Sequence, residues 1–470
     1  MKEKNITKHV KISAFQLAMI TVAYVASIRA LASMAMYGFS SIFYYLLAAF
    51  LFLLPSALVS AELATAWPQR GGVYIWVKKA LGARWGFLAI WMQFLSNVVY
   101  LPAYLSFIAT IAAYIFMPEL ANNKYFLIVF ILIVLWSSTF LSFKGMKTAS
   151  WVNTFGVFTG IFIPVIVLLV LGSIWLFVGH HSQIKFSART FFPQFSALNI
   201  NDIVFLAGLL FSFTGMETSG AHALDVKDIR KDYPRAIFLA AILVFIVGFS
   251  SVSIAIVVPK DQLDIVAGIM QAFTIFLNNF DLGWVVKWLA LFMAFGAIGA
   301  FNSTLIGPSK GLFGAAIGGE IPPILTKVNK HNMPVNMLIS QALVVTVLTA
   351  LFLFMPSVTS SYWLIMSMVF ILYLGMYILL FVSGIILRYK FPNMDRPYKV
   401  PGNNLGMWLM ASIGVISTIF GLVISFLPPS QLKVGSIFHY EFILLSGVIG
   451  FIALGLLIYK LRKPHWAIKE

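Results

Sequence analysis

The chain has 470 residues, of which 61% are hydrophobic and only 10% charged, and its mean hydropathy is +0.95. A soluble domain is about half apolar and a quarter charged, so the deficit of charge excludes a soluble fold. The formal charge of +17, 32 Lys and Arg against 15 Asp and Glu, would suggest nucleic acid in a soluble chain, but in a polytopic one it speaks to topology.

At about 20 residues per crossing plus short connections, the length accommodates roughly ten to fourteen spanning helices. An outer-membrane barrel needs strands of about ten residues with alternating polarity, whereas apolar runs such as Tyr125 to Leu141 continue unbroken. Lys2, Lys4, Lys8 and Lys11 precede a full-length apolar stretch with no small-residue cleavage pattern, so this stretch reads as a first span and not as a cleaved signal. In chain order the windows predict spans at Ile12 to Met36, Phe39 to Ala66, Trp85 to Phe116, Tyr125 to Leu141, Ser150 to Val178 and Asn199 to Ala223. They continue at Arg235 to Val258, Trp284 to Ile306, Pro334 to Met355, Tyr362 to Leu387, Gly406 to Leu427 and Tyr440 to Leu461, about twelve in all.

With both termini cytoplasmic, the inner side collects Lys2, Lys4, Lys8, Lys11, Lys78, Lys79, Arg230, Lys231, Arg388, Arg396 and many more. The outer side holds only Lys124, Lys185, Arg189, Lys260, Lys287 and Lys433. That asymmetry orients the chain in the plasma membrane and accounts for most of the charge. No nucleic-acid partner is expected, and lipid is the surroundings. Between the spans the longest stretches are Gly179 to Leu198 and Pro259 to Gly283. In the second, Leu263, Val266, Met270, Phe273 and Leu277 recur at helical spacing, predicting an amphipathic segment on the outer face.

An ionisable residue in a span costs about 2.5 to 3.5 kcal/mol and is a site hypothesis by default. Arg29 lies in Val25-Ala-Ser-Ile-Arg-Ala-Leu-Ala-Ser33, a run of small residues that allows the backbone to unwind. Two readings stand for it: a structural ion pair, with Glu217 as the candidate partner, or a guanidinium fork holding a substrate carboxylate. Glu217 lies in Phe211-Ser-Phe-Thr-Gly-Met-Glu-Thr-Ser-Gly220, where glycines and hydroxyls predict a helix break. Its bland role, holding the broken segment together, is favoured over proton carriage. Interrupted helices in corresponding halves of a membrane chain mark transporter sites, because freed amides and carbonyls bind the two ends of an amphoteric solute.

Glu62, near the inner end of the second span, reads as a partner of loop groups and is left out of the site. Gln93, Asn97 and Tyr100 share a face of the third span, and Tyr373 and Tyr377 lie one turn apart in the tenth. Helix packing is the ordinary explanation for these, as it is for His222 after the break. With no Cys and dispersed His, no metal is expected, and no nucleotide loop or nucleophile elbow is present. No cofactor is expected.

Five stretches together resemble a known family. They are Glu62-Leu-Ala with Gln69-Arg-Gly-Gly-Val-Tyr-Ile-Trp76 and Leu81-Gly; Gly215-Met-Glu-Thr-Ser with Arg230-Lys-Asp-Tyr-Pro-Arg-Ala236; Gly307-Pro-Ser-Lys-Gly-Leu312; Lys327-Val-Asn-Lys-His-Asn-Met-Pro-Val335; and Ser425-Phe-Leu-Pro-Pro429. In order along the chain, they resemble the amino acid, polyamine and organocation (APC) superfamily, and within it the bacterial glutamate/GABA antiporter branch. The resemblance implies an all-α polytopic protein of about twelve helices. Two inverted five-helix repeats of the LeuT type, about 12–178 and 199–387, would be followed by two extra helices at about 406–461 and a short tail at 462–470, in a single transporter domain.

It also implies an amino acid held at breaks in spans one and six. The carboxylate would lie at Ser27, Ile28 and Arg29, and the amine would face Phe213, Gly215, Met216 and Glu217. Phe211 would be an aromatic gate, and Tyr373 and Tyr377 would match a tyrosine pair of the branch. The chain departs from the branch in carrying Arg29 where the branch has tyrosine, and Ala300 and Thr304 where it has an acid and a tryptophan. It also has Ala26-Ser-Ile in place of a glycine motif. One negative group fewer and one positive group more disfavour cationic solutes. Only Arg462 to Glu470 stand where the branch has an acid-gating plug, so strict acid activation is not expected.

The reading is a secondary amino acid antiporter working by alternating access and not an enzyme. A proton-coupled symporter is the near alternative, and a channel or integral-membrane enzyme the distant ones. Oligomeric state is open.

Overall fold

The structure is a computed structural model and describes residues 12–25, 28–69, 71–144, 156, 158–193, 203–218, 226–228, 230–317, 319–331, 333–429, 432–463 and 466. Among these, ten helices are long and apolar enough to cross a membrane. There is no sheet among the described residues; Ile12 and Val226 form an isolated bridge.

The chain opens with α1 (Ala14–Val25), a 3₁₀ turn at Ile28–Ala30 and the short α2 (Leu31–Ala35). Then follow α3 (Gly38–Ala66), α4 (Val73–Leu81), α5 (Ala83–Phe116), α6 (Lys124–Ser142) and α7 (Phe158–Phe177). The second half runs α8 (Phe205–Ser212), α9 (Asp232–Val257), α10 (Gly268–Asn279), α11 (Val285–Ile317), α12 (Val335–Phe354), α13 (Val358–Lys390), α14 (Asn403–Ser425) and α15 (Ile437–Lys460).

The helices sort by what surrounds them. α5 has 34 residues, and 94% of its apolar window is buried; it packs along α11 and α13 and forms the centre. In α15 the corresponding share is 17%, and Phe438, Phe442, Ile449 and Leu457 point outward. Both are apolar throughout, because lipid and protein interior favour the same side chains. Close approach is set by small residues. A Cβ on Gly296 of α11 would stand 2.7 Å from the backbone nitrogen of Gly160, so these two helices cross backbone to backbone.

Several expectations shift. Among the described residues, the first-span window holds α1, a 3₁₀ turn and α2, and the sixth-span window holds α8 followed by tight turns. The eighth helix runs on to Ile317, past the expected end at Ile306, because backbone hydrogen bonding continues after the apolar window closes. The amphipathic segment forms α10, and its apolar side is buried on the protein, with Gly268 against Ala32.

Candidate functional site

Two helix interruptions face each other. In the first span α1 is described to Val25 and is followed, after Ala26 and Ser27, which lie outside the described residues, by the 3₁₀ turn Ile28–Ala30. In the sixth, α8 ends at Ser212. The Phe213 N–H bonds to the Leu210 carbonyl at 3.1 Å and the Thr214 N–H to that of Phe211 at 2.9 Å, closing the helix with tight turns. Gly215 then takes φ +107°, a conformation that glycine adopts without a Cβ penalty. Another turn is closed by the Thr218 N–H to the Gly215 carbonyl at 3.0 Å. His222 lies outside the described residues. α2 and the 3₁₀ turn pack directly against α8.

Glu217 is 2% exposed and stands at the second interruption. Its Oε1 accepts from Gln93 Nε2 at 2.9 Å and from the Tyr373 hydroxyl at 2.8 Å. Its Oε2 accepts from the Tyr377 hydroxyl and from the Gly215 N–H at 3.2 Å. The Tyr377 hydroxyl also accepts from that same N–H at 3.0 Å. Four donors from α5, α13 and the break itself therefore surround one carboxylate. Every one is neutral, so the cage positions the carboxyl group without bringing an opposite charge to it.

Arg29 does not pair with Glu217. Its guanidinium lies over the Tyr104 ring, 4.0 Å from the centroid, and 5.1 Å from that of Tyr100. Its Nε is buried and without a hydrogen-bond partner among the described residues. The expected ion pair fails because the carboxylate's oxygens are already engaged by Gln93, Tyr373, Tyr377 and Gly215. Arg29, Ala30 and Ser33 from the first interruption, Phe211 and Ser212 from the second, Tyr100 from α5, and Tyr362, Trp363, Met366 and Phe370 from α13 line a small cavity of about 20 Å³. That is the space of a water-sized group.

Phe211 joins the cavity to the cage. Its ring meets Tyr100 at 5.8 Å, Phe370 at 5.2 Å and Tyr373 at 5.8 Å. Of the expected residues, Arg29 and Phe211 thus line the cavity, while Gly215, Glu217, Tyr373 and Tyr377 make the cage. Phe213 points elsewhere, packing on Tyr45 at 6.0 Å, and Ile28 and Met216 are buried. Gln93, noted in the sequence only as part of a polar helix face, is a direct partner of Glu217. Tyr104 was overlooked, although its spacing of four from Tyr100 places both on one side of α5. Tyr362 and Trp363 carried no sequence signal, because ring residues near a span end read as interfacial anchors.

Ala300 and Thr304 lie on α11, where Thr304 Oγ1 bonds back to the Ala300 carbonyl at 3.3 Å. A larger groove between α13 and α14, with Ile385, Tyr389, Trp408 and Ile416 in its wall, is almost wholly apolar and remote from these charges.

Two further acids are buried outside the site. Glu62 receives Arg388 Nε and Nη2, each at 2.6 Å, with Arg396 Nε at 3.2 Å and the Val400 N–H at 2.7 Å. It ties α3 to α13 and to the loop beyond it, as the sequence suggested. Glu320, in the loop after α11, accepts from the Tyr74 hydroxyl at 2.9 Å, and Lys78 Nζ stands 3.7 Å away. Burial pushes its carboxyl above the ordinary carboxylate value, opposed by the Tyr74 hydrogen bond and by the charges of Lys78 and Arg462.

Comparison with known proteins places this architecture. The chain is 39% identical over 98% of its length to an uncharacterized transporter of Legionella pneumophila, covering 98% of that protein. It is 32% identical over 98% of its length to the glutamate/gamma-aminobutyrate antiporter of Lactococcus lactis, covering 93% of it. A Lactococcus lactis protein named "probable agmatine/putrescine antiporter" is 24% identical over 94% of the chain and 93% of its own length. The profile of a family described as amino acid permease matches residues 12–454. A multi-pass helical membrane protein that carries this match along nearly its whole length belongs to the amino acid permease family, in the APC superfamily, and is a transporter and not an enzyme.

Proposed function

We propose that the protein exchanges one amino acid, or a close derivative, for another across the plasma membrane by alternating access. The observation that carries this reading is the convergence of two helix interruptions, one contributing Arg29 and Ser33 and the other Phe211 and Ser212, on one small cavity walled by α5 and α13. Backbone groups freed at a helix end keep their partial charges, so one interruption attracts a carboxylate and the other an ammonium. Ser27 to Arg29 receive the carboxylate; the backbone from Phe213 to Glu217 faces the amine. Phe211, with aromatic neighbours on both sides, acts as the gate between the cavity and the Glu217 cage.

In this reading α1 with α2, and α8, complete twelve crossings, both termini face the cytoplasm, and residues 12–178 and 199–387 form two inverted repeats. The relatives named as antiporters support exchange over uniport. Glu217 holds the broken segment in shape through Tyr373, Tyr377 and Gly215, which leaves the driving force to the gradient of the exchanged solutes.

The test is counterflow in proteoliposomes preloaded with amino acids and their decarboxylated amines. Labelled uptake accelerated by an internal solute is the expected result. Uptake that needs only an inward proton gradient would replace exchange with symport, and uptake indifferent to the internal solute would remove exchange altogether.

A further inference from the structure

Arg29 carries a positive charge into the protein's interior with no described carboxylate within 4 Å; the ion pairs among the described residues join other groups. Two tyrosine faces attract a guanidinium, but they replace only part of the hydration that a cation loses inside a protein. Glu217, the nearest acid by sequence expectation, has its oxygens taken up by four neutral donors. Ala300 and Thr304 add no acid from α11.

A second observation points the same way. Trp363 is 2% exposed, lines the same cavity as Arg29, and its Nε1–H has no partner among the described residues. The unsatisfied Nε of Arg29 is a donor as well. Buried donors left without acceptors are costly and rare, and two of them on one cavity call for an acceptor that the protein does not supply. The cavity admits one oxygen-sized group.

We propose that Arg29 and Trp363 form a subsite for one anionic group, the second carboxylate of the transported solute, and that the same arginine rejects solutes bearing a second amine. This rests on the transport reading above and adds the substrate class: a dicarboxylic amino acid fits, a diamine does not. The α-carboxyl group stays on the freed backbone of the first interruption and the α-amino group on that of the second, which leaves the Arg29 side chain, with Trp363, to the distal carboxylate. A carboxylate answers the guanidinium charge and accepts the indole N–H in one step.

The test uses the full-length protein in proteoliposomes with aspartate and glutamate, glutamine and GABA, and putrescine and agmatine as internal solutes. Trans-stimulation by the dicarboxylic amino acids and none by the diamines is expected. Arg29→Gln and Trp363→Phe should each raise the KM for dicarboxylic relative to neutral solutes by about tenfold or more, the range for a hydrogen bond to a charged group. Trp363→Phe keeps an aromatic ring beside Phe205 while removing the N–H and part of the indole, and it stands in if the arginine variant does not fold; lost volume alone would lower uptake of neutral and dicarboxylic solutes alike.

Diamines exchanging as fast as glutamate, or an unchanged KM ratio in both variants, would overturn the assignment and leave the cavity to water. Replacing chloride by gluconate separates the two sources of an anion. If exchange of neutral solutes collapses in gluconate and Arg29→Gln no longer responds to chloride, the subsite takes its anion from the medium and the solute assignment falls. Should no internal solute stimulate uptake, the exchange reading fails on its own. A rise in melting temperature with glutamate that Arg29→Gln abolishes would still report the subsite, and its absence would sink both.

Discussion

Arg388 and Arg29 are both arginines set among apolar side chains, and they differ in what answers their charge. Arg388 is 4% exposed and meets Glu62 through two nitrogens, while Arg396 and the Val400 N–H occupy the same carboxylate. Arg29 meets two aromatic rings and an unfilled hydrogen-bonding requirement. A charge answered within the chain fastens elements together; a charge left open inside the chain waits for something that arrives. The same contrast divides the acids. Glu62 is neutralised by guanidinium groups, whereas Glu217 is held only by uncharged hydroxyl, amide and backbone donors at the break it sits in.

The contrast makes graded predictions. Arg388→Met leaves Glu62 with only Arg396 and the Val400 N–H and should cost up to about 3–5 kcal/mol, the range for breaking a buried pair, seen as loss of a monodisperse peak in fluorescence-detected size-exclusion chromatography. A wild-type melting curve for that variant would erase the distinction drawn between the two arginines. Tyr377→Phe leaves the Gly215 N–H and Glu217 Oε2 with only each other, at about 1 kcal/mol, with transport reduced more than Tyr373→Phe reduces it, because only Tyr377 also touches the backbone.

Gly215→Ala forces a side chain into a left-handed conformation and should cost about 1–2 kcal/mol together with most of the exchange activity. In Arg29→Met the lost ring contacts, about 0.5–2 kcal/mol, are offset by removal of an unanswered charge. Its melting temperature should therefore hold or rise while solute preference changes.

The smallest effect is at Glu320. Its carboxyl binds a proton more tightly in the folded chain than when exposed, so its contribution to stability is present below the ordinary carboxylate value and is lost as pH rises through the raised one. Glu320→Gln should flatten that part of the melting temperature against pH profile. An unchanged slope would mean that Lys78 and Arg462 cancel the burial of the acid.

The sequence exposed a good deal of this. Every span beyond the interrupted pair is found as a helix near its expected window, and the small and hydroxyl residues around Gly215 marked the second break. The role of Glu62 was readable from its place beside a loop. Of the two readings of Arg29, the bridge to Glu217 is not formed: opposite charges in two spans suggest one, but nothing local reveals that Gln93, Tyr373 and Tyr377 reach the acid. Trp363 was invisible for a related reason: whether an indole N–H finds an acceptor depends on residues far away in the chain.

Crossing a membrane is a property of a window of about 20 residues, since each backbone group must be satisfied within its own helix and each side chain must tolerate hydrocarbon. Composition and spacing were therefore enough to establish a multi-span helical protein, its segments and its breaks. Which charge meets which partner is another matter, because Arg388 and Glu62 stand 326 positions apart and Tyr373 and Glu217 stand 156 apart. Those distances close only when α3, α5, α8 and α13 pack, and their packing decided that one arginine is a fastener and the other faces the cavity.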